Sequence, residues 1–364
     1  MTEEKWYHYW WSSVSGISNE KRKLLSKNKI IPRDIFNIEE TRKKYPFNEL
    51  FTEDEIEKIK VSRKEKVWEK EYKKLEEEGI NFIYWEEERY PKRLKQLSGM
   101  PYALFVKGEL PQEDSVTAAI VGARNCSTYG ERITLQFAEQ LADAGVQIIS
   151  GMARGIDGAA HRGALNVSGR TFAVLGCGVN ICYPKEHRGL YQDIQKNGGI
   201  LSEYPPGMPP LANHFPARNR IISGLSDVIL IMEAKQKSGS LITADMALEQ
   251  GKDIYALPGP INSELSKGCN ALIKQGAGIL LGVEDILEEL SIKIGKNSLN
   301  CQKNKKILES KDKIVYSKLG LFPMGREELL QSTGFAPQEL AGILLSLELG
   351  GHIKEISKNY YIRC

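Results

Sequence analysis

Glycine, hydroxyl and arginine residues recur together where apolar runs of the chain end. The run VTAAIVG ends at Gly122, and Arg124 follows two residues later. The run VQIISG ends at Ser150 and Gly151, and Arg154 comes three residues after that glycine. Glycine lets a ligand approach the backbone, arginine adds a fixed charge with five donors, and the helix that follows offers free N–H groups. These residues predict two turns that bind an anion.

A third segment combines aromatic and cationic side chains. FPARNRIISG places Phe215 three residues before Arg218, and Asn219 and Arg220 follow at a predicted helix start. Arginine next to phenylalanine suits the charged backbone and the stacked base of a nucleotide chain. The pattern therefore predicts contacts with both parts of such a chain.

A fourth segment, KQKSGS, carries Lys237, Ser238, Gly239 and Ser240 immediately before another predicted helix. Serine hydroxyls and backbone N–H groups in such a turn form a nest for phosphate. Several loops thus carry glycine, hydroxyl and cationic groups without a strong general base or nucleophile. This combination fits the binding of successive phosphates better than the transformation of a bound molecule.

Two residues leave room for catalysis or a metal. Asp157 and His161 are spaced to share one face of a helix, so a metal site or an acid–base pair is conceivable. No third ligand has a suitable spacing, and we expect Asp157 to lie in the first helical turn with His161 packed beside it. Neither G-x-G-x-x-G nor G-x-x-x-x-G-K-[ST] occurs. We therefore expect no catalytic residue, metal or cofactor, although residues alone leave a nucleotide-processing enzyme open.

The elements that position these turns alternate between strand and helix. Short, continuous apolar runs such as VTAAIVG, VQIISG, TFAVLG, DVILIME and DIYALPG predict strands that are covered on both faces. Helical stretches such as ERITLQFAEQLADAG and LITADMALEQG separate them, and Leu241, Ala244, Ala247 and Leu248 share a face of the second. The alternation predicts an α/β, Rossmann-like parallel-sheet core over residues 76–292, with its strand-to-helix loops at one edge.

The flanking segments differ in character. Residues 1–75 predict a small all-α domain, in which Thr52 and Glu55 form a capping box. Lysine-rich residues 293–313 predict a linker. Residues 314–364 predict two helices and a β-hairpin, the pattern of a winged-helix domain. Because the positive and negative charges of this domain balance, the sequence leaves two roles possible for it: a second DNA-binding domain or a domain that contacts a protein.

Composition sets broad limits. The 364 residues carry a net charge of +3, which permits a nucleic-acid partner without arguing for one. The six cysteines include no C-x-x-C pair, so we do not expect a zinc ribbon. We expect the cysteines to be free thiols in a reducing cytosol. The sequence shows no signal peptide and no apolar stretch of the length that spans a membrane. We expect a cytoplasmic protein without a membrane partner.

Seven segments, in this order and spacing, resemble the DNA-processing protein A (DprA/Smf) family. They are VGARNCSTYG, ISGMARGIDGAAH, VLGCGVNICYP, LSEYPPG, FPARNRIISGLSD, SGSLITADMALEQGKDIYALPGP and KGCNALIKQGA. The resemblance covers about residues 80–290. It implies an extended Rossmann fold that binds single-stranded DNA, with a sterile-alpha-motif-like N-terminal domain and a C-terminal winged helix.

The resemblance also implies a role and a set of binding residues. Members deliver incoming DNA to the RecA recombinase during natural transformation, form dimers and are not known as catalysts. The family's phosphate-pocket residues correspond here to Gly122, Arg124, Ser150, Gly151, Arg154, Asn219, Arg220, Lys237, Ser238, Gly239 and Ser240. The alternative, a phosphoribohydrolase on a related fold, typically shows a P-G-G-x-G-T stretch that this sequence lacks.

Overall fold

The computed structural model describes residues 3–41, 45–65, 67–290, 310–320 and 323–363. The chain divides into two compact units, Met1–Ile294 and Gly295–Cys364. The predicted domain boundaries at residues 75, 292 and 313 stay predictions. Most of the predicted linker, residues 293–309, lies outside the described residues.

Helices make up the N-terminal part of the first unit. They are α1 (Glu3–Ser13), α2 (Asn19–Lys27), α3 (Pro32–Phe36), α4 (Ile38–Thr41), α5 (Phe47–Leu50), α6 (Glu53–Glu65) and α7 (Val67–Glu77). The predicted capping box is confirmed, since the Glu55 N–H donates to Thr52 Oγ1 at 3.3 Å and the Thr52 N–H donates to Glu55 Oε2 at 2.8 Å. Trp10 and Trp11 are fully buried among these helices.

An aromatic contact joins these helices to the sheet. The His8 ring stacks on Tyr84 with 3.7 Å between ring centroids. His8 Nδ1 lies 2.5 Å from Tyr102 Oη. The His8 side chain is 2% exposed, so the imidazole is held in the interior between helix and sheet.

A nine-stranded sheet forms the centre of the first unit. Its strands are β1 (Asn81–Tyr84), β2 (Ala103–Gly108), β3 (Thr117–Val121), β4 (Gln147–Ser150), β5 (Thr171–Val174), β6 (Gly198–Ser202), β7 (Val228–Ile231), β8 (Asp253–Ala256) and β9 (Gly278–Ile279). The order is β1-β2-β6-β5-β4-β3-β7-β8-β9. All pairs from β6 to β9 are parallel, as predicted, while β1-β2 and β2-β6 are antiparallel and form one edge.

Helices cover both faces of the sheet. After the short α8 (Lys92–Lys95) they are α9 (Thr128–Asp143), α10 (Ile156–Asn166), α11 (Arg188–Asn197), α12 (His214–Leu225), α13 (Gly239–Glu249), α14 (Lys267–Lys274) and α15 (Val283–Glu289). On β3, Ala118 and Ile120 belong to the apolar cluster of α9 and α10, whereas Ala119 and Val121 belong to that of α12 and α13. This two-sided burial explains the continuous apolar runs. Leu248, which shares its predicted helix face with the buried Ala244 and Ala247, is 61% exposed.

The strand order places a switch point between β3 and β7. From β3 the chain proceeds outward through β4, β5 and β6, then returns to β7 on the other side and continues through β8 and β9. In open α/β sheets, ligands bind outside the carboxyl ends of the strands at such a point. The turns that begin at Gly122 and Met232 lie at this position.

The second unit has the predicted winged-helix elements. They are α16 (Ser310–Lys318), β10 (Met324–Gly325), α17 (Arg326–Thr333), α18 (Pro337–Leu349), β11 (Ile353–Ser357) and β12 (Tyr360–Arg363). Helix α16 begins inside the segment predicted as a linker. The predicted apolar stripe of α18 is buried, and β11 and β12 pair as an antiparallel hairpin. No helix in the described part of the chain is long and apolar enough to cross a bilayer.

Candidate nucleic-acid interface

A cleft of about 500 Å³ opens at the switch point. It brings together eight of the predicted site residues, which are Gly122, Arg124, Phe215, Arg218, Asn219, Ser238, Gly239 and Ser240. A smaller pocket of about 60 Å³ lies against Arg124, Phe215 and Arg218 and adds Gly151 and Arg154. Turns far apart in sequence therefore meet on one rim, because parallel strands end on the same edge of the sheet.

The N-terminus of α13 faces the cleft, with Ser238, Gly239 and Ser240 among the residues that line it. Ser238 caps the helix by accepting a 3.2 Å hydrogen bond from the Ser240 N–H, and the two hydroxyls lie 2.5 Å apart. Gly239 is exposed between them. The first turn of α13 has no acidic side chain to offset its partial positive charge. Lys237, which is also exposed, precedes this turn but is not among the residues that line the cleft.

Arg124 and two aromatic rings form the opposite wall. The Arg124 guanidinium lies 5.3 Å from the centre of the Phe215 ring, within the range of a cation–π contact. The Tyr183 ring lies 5.5 Å from Phe215 at an interplanar angle of 32°. Arg124 is exposed and is not in an ion pair with any described residue. Its charge is therefore available to an anion.

Arg218 forms part of the floor of the cleft, with most of its side chain buried. Its Nη1 donates to the carbonyl oxygen of Gly151 at 2.9 Å and also to that of Val174, and its Nε donates to Asn219 Oδ1 at 3.1 Å. Only 5% of the residue is exposed, and burial lowers the pKa of its guanidinium. Burial also raises the pKa of Asp157 nearby, while Arg218 counteracts that rise. Arg218 thus ties α12 to the ends of β4 and β5.

Glu233 occupies the N-terminus of α9. Its carboxylate accepts hydrogen bonds from the Ser127 N–H at 2.8 Å and from Ser127 Oγ at 2.6 Å, and Ser127 Oγ accepts from the Gly130 N–H at 3.0 Å. The prediction that the helix after Gly122 offers free N–H groups to a ligand is wrong for Ser127 and Gly130. The Ser127 N–H donates to the buried Glu233, and the Gly130 N–H donates to Ser127 Oγ. The local signal for this role of Glu233 is its position directly after the apolar run DVILIM, where a strand ends.

Three predicted residues use their polar groups on partners within the chain. Ser150 is fully buried, and its hydroxyl donates to the Ile120 carbonyl at 2.6 Å. Arg220 makes a two-point pair with Glu203, at 2.8 and 2.6 Å, and donates to a backbone carbonyl at 2.8 Å. Arg154 is paired with Glu186 on the surface. Ser150 and Arg220 therefore support the site from behind, whereas Arg154 stays at its rim.

Asp157 and His161 serve the fold. Asp157 lies in the first turn of α10, as expected, and accepts a 3.4 Å hydrogen bond from the Ala153 N–H. His161 Nδ1 lies 2.6 Å from Thr171 Oγ1, and burial lowers the pKa of this imidazole to about 3. Within residues 3–290 and 310–363, apart from the short undescribed gaps, no three candidate ligands cluster as a metal site would require.

Family models match most of the chain. The model described as DNA recombination-mediator protein A matches residues 81–291, and that of the DprA winged helix domain matches residues 302–357. The chain is 50% identical over 217 residues to protein Smf of Escherichia coli, which is 59% of this chain and 58% of that protein. It is 44% identical over 200 residues to DNA processing protein DprA of Streptococcus pneumoniae, which is 55% of this chain and 71% of that protein.

Two solved structures share this architecture. The X-ray structure of DNA processing protein A from Streptococcus pneumoniae matches with a TM-score of 0.66 and 32% identity, covering 81% of this chain and 99% of that one. DNA processing protein A from Helicobacter pylori, described for its unique single-stranded DNA binding mode, matches with a TM-score of 0.53 and 32% identity. That match covers 58% of this chain and 96% of that one.

Proposed function

The chain belongs to the family of DNA recombination-mediator protein A, the DprA/Smf family, and from this premise we propose that it binds single-stranded DNA in the cleft at the ends of β3 and β7. The observation that carries the proposal is the convergence of an open helix N-terminus, an unpaired arginine and two aromatic rings on one cleft of about 500 Å³. The single-stranded DNA binding described for the Helicobacter pylori protein supports it.

In the proposed complex, phosphates and bases have separate contacts. Phosphate oxygens accept from the N–H groups of Ser238 and Gly239 at the start of α13 and from the Arg124 guanidinium, and Lys237 adds a charge beside them. A base stacks on Phe215 or Tyr183, because every base has a π-face that an aromatic ring can cover. Arg154 exchanges its surface pair with Glu186 for a phosphate at little cost, since such exposed pairs contribute little to stability.

The remaining predicted residues hold this surface in shape. Arg218 braces Gly151 from below, Ser150 anchors the end of β4 to β3, and Arg220 fixes α12 through Glu203. Gly122 must be glycine, because a Cβ there would come within 2.7 Å of the Ile156 side chain. These residues act on DNA binding through the geometry of the cleft.

The protonation and orientation of the reactive side chains near the cleft favour binding without catalysis. Burial raises the pKa of the Cys177 thiol to about 11, which keeps it protonated and a poor nucleophile. The His161 imidazole faces Thr171 in the interior rather than the cleft. We therefore propose that the protein is not an enzyme. Incubation with nucleoside monophosphates tests this directly, and release of free base would contradict it.

We further propose that the bound strand is delivered to the RecA recombinase in the cytoplasm during natural transformation, and that the protein acts as a homodimer. Support for self-association comes from the edge of the sheet at β9, where no further strand pairs among the residues that the structure describes and Ile279 and Leu281 are 48% and 74% exposed. Exposed apolar side chains next to an unpaired strand favour a protein partner. Sedimentation of the parent and of an Ile279→Glu/Leu281→Glu variant tests the dimer.

The salt dependence of DNA binding tests the central proposal. Affinity for a single-stranded oligonucleotide, followed by fluorescence anisotropy, should exceed that for the duplex and fall linearly on a log–log plot against salt. Arg124→Ala and Lys237→Ala should each weaken binding to all sequences and reduce the slope by about 0.7. Parent-like binding by both variants would refute the assignment. Stimulation of RecA filament growth on the same oligonucleotide, lost in Arg124→Ala, tests delivery.

A further inference from the structure

Two cysteines flank a tight turn in the loop after β5. The Ile181 N–H donates to the Gly178 carbonyl at 2.9 Å, which closes a β-turn over residues 178–181. Because such a turn reverses the chain, Cys177 and Cys182 lie on its two arms. The Cys177 thiol donates to the Ile181 carbonyl at 3.6 Å, so its sulfur lies against the peptide unit that joins Ile181 to Cys182. The fold therefore brings two thiols to adjacent positions.

Both cysteines are free thiols, and they differ in exposure. Cys177 is buried, whereas Cys182 is half-buried and lines a cavity of about 520 Å³ that has room for a small molecule. Burial raises the pKa of both thiols, and Arg188 counteracts the rise at Cys182. Cys182 is therefore the thiol that an oxidant reaches first. Cys177 reacts second, and its position against Cys182 offsets its small thiolate fraction.

The tip of the turn is held by its neighbours, and the arm that carries Cys182 is held less. Asn180 Oδ1 accepts from the Gly207 N–H at 2.8 Å, and the Val179 carbonyl accepts from the Tyr191 hydroxyl. By contrast, the backbone of Cys182 makes no backbone hydrogen bond with any residue that the structure describes. A bond between the two sulfur atoms therefore displaces the Cys182 arm rather than the tip.

The Cys182 arm leads directly into the cleft, because Tyr183 is the next residue. The Tyr183 ring lines the cleft, is 42% exposed and lies 5.5 Å from the Phe215 ring. A bond that draws Cys182 toward Cys177 displaces this ring from its place beside Phe215. The proposed stacking of a base depends on that place.

We propose that Cys177 and Cys182 form a redox switch, in which a low-molecular-weight disulfide oxidises the pair to an intramolecular disulfide that displaces Tyr183 and weakens the binding of single-stranded DNA. This inference rests on the proposed function and adds its regulation. Loss of the bridge to a small thiol reverses the switch, because thiol–disulfide exchange runs in both directions.

The exchange takes place in two steps. The Cys182 thiolate attacks one sulfur of the small disulfide, which breaks the S–S bond, forms a mixed disulfide and releases one small thiol. The Cys177 thiolate then attacks the Cys182 sulfur, which forms the protein disulfide and releases the second small thiol. The protons of the two protein thiols end on the two released thiols, so the protein loses two electrons and the small disulfide gains them.

Peptide mapping of the full chain tests the chemistry, with glutathione buffers that range from reduced to oxidised. After alkylation with iodoacetamide, trypsin cuts after Arg170 and Lys185 and releases residues 171–185, which contain both cysteines. The reduced protein should give this peptide with two alkyl groups. The oxidised protein should give it without alkyl groups and two hydrogens lighter than the dithiol.

DNA binding tests the consequence. Oxidation should weaken the affinity of the parent for an oligothymidylate by about fivefold or more, the lower end of what one stacked base contributes. Dithiothreitol should restore the affinity. Cys182→Ser keeps a hydrogen-bond donor in place of the thiol and should bind alike in both buffers. The matched control is Cys126→Ser, which removes another half-buried thiol and should respond like the parent.

Two results overturn the inference. In one, the peptide in oxidised buffer stays a dithiol or carries only glutathione. In the other, the internal bridge forms and the affinity for DNA does not change. Failure of the proposed function looks different, because the reduced parent then does not bind the oligonucleotide, while the peptide map still reports whether the bridge forms.

Discussion

Nη1 of Arg218 lies 2.9 Å from the carbonyl oxygen of Gly151, in the interior directly beneath the cleft. Gly151 follows β4, and Arg218 belongs to α12, so this hydrogen bond joins the turn after β4 to α12 at the floor of the cleft. By contrast, the Arg124 side chain stands in the cleft with its charge exposed. Both residues carry a guanidinium group, but Arg218 supports the fold and Arg124 offers its charge to a ligand. Mutation of each residue can separate these two roles.

Replacement of Arg218 by methionine should destabilise the protein strongly. Methionine keeps the length of the side chain but leaves the Gly151 and Val174 carbonyls without their donor and removes the cation that offsets the buried Asp157. We expect a loss of about 3 kcal/mol or more in the free energy of unfolding, measured by denaturant titration. Arg124→Ala is the control and should change stability by less than about 0.5 kcal/mol. Equal effects of the two would contradict the assigned roles.

Two site glycines should respond differently to alanine. A Cβ at Gly151 would lie 2.5 Å from the Arg218 guanidinium, whereas a Cβ at Gly239 meets no atom within 4 Å. Gly151→Ala should cost about 1 to 3 kcal/mol of stability, because it forces the packed guanidinium to move. Gly239→Ala should leave the melting temperature near that of the parent. A stable Gly151→Ala protein with full DNA affinity would show that the hydrogen bond between Arg218 and Gly151 is dispensable.

Removal of the Phe215 ring should weaken DNA binding without altering its response to salt. Stacking of one base contributes about 1 to 3 kcal/mol, so Phe215→Ala should lose an amount in that range. The slope of log affinity against log salt should stay at the parental value, because no charge is removed. Phe215→Tyr keeps the ring and serves as the control. A lower slope for Phe215→Ala would place the contact on phosphates instead.

Acid should destabilise the protein through His8. Burial lowers the pKa of this imidazole to about 4, below the value of about 6.5 expected in the unfolded chain. Between pH 4 and pH 6.5 the unfolded state therefore binds more protons than the folded state. The stability that neutral His8 contributes is present above pH 6.5 and is lost as the pH falls toward 4. The loss amounts to about 3 kcal/mol at pH 4.

Comparison with His8→Phe isolates this effect, because phenylalanine keeps the ring that stacks on Tyr84 but does not titrate. The difference in unfolding free energy between parent and variant should shift in favour of the variant by about 3 kcal/mol from pH 7 to pH 4. Parallel pH profiles would show that His8 is not the titrating group.

Local chemistry was sufficient to find the turns that meet at the cleft. Short apolar runs that end in glycine, serine and arginine identify the carboxyl ends of buried strands, and parallel strands joined by helices must present those ends on one edge. Gly122 and Arg124 after β3, and Ser238–Ser240 after β7, line the cleft for this reason, whereas Phe215, Arg218 and Asn219 reach it from α12. The same local signals identified the capping box at Thr52 and the apolar stripe of α18.

Only the tertiary structure decided what each arginine contacts. Arg218 and Arg220 are two residues apart on α12, and because a helix turns by about 100° per residue, their side chains point in nearly opposite directions. One meets Gly151 beneath the cleft, and the other meets Glu203 outside it. Glu233 closes the N-terminus of α9 from more than a hundred residues away. The sequence by itself determined which residue types reach the edge of the sheet, whereas contacts between distant segments determined which of their charges remain free, because a neighbour far along the chain leaves no local pattern.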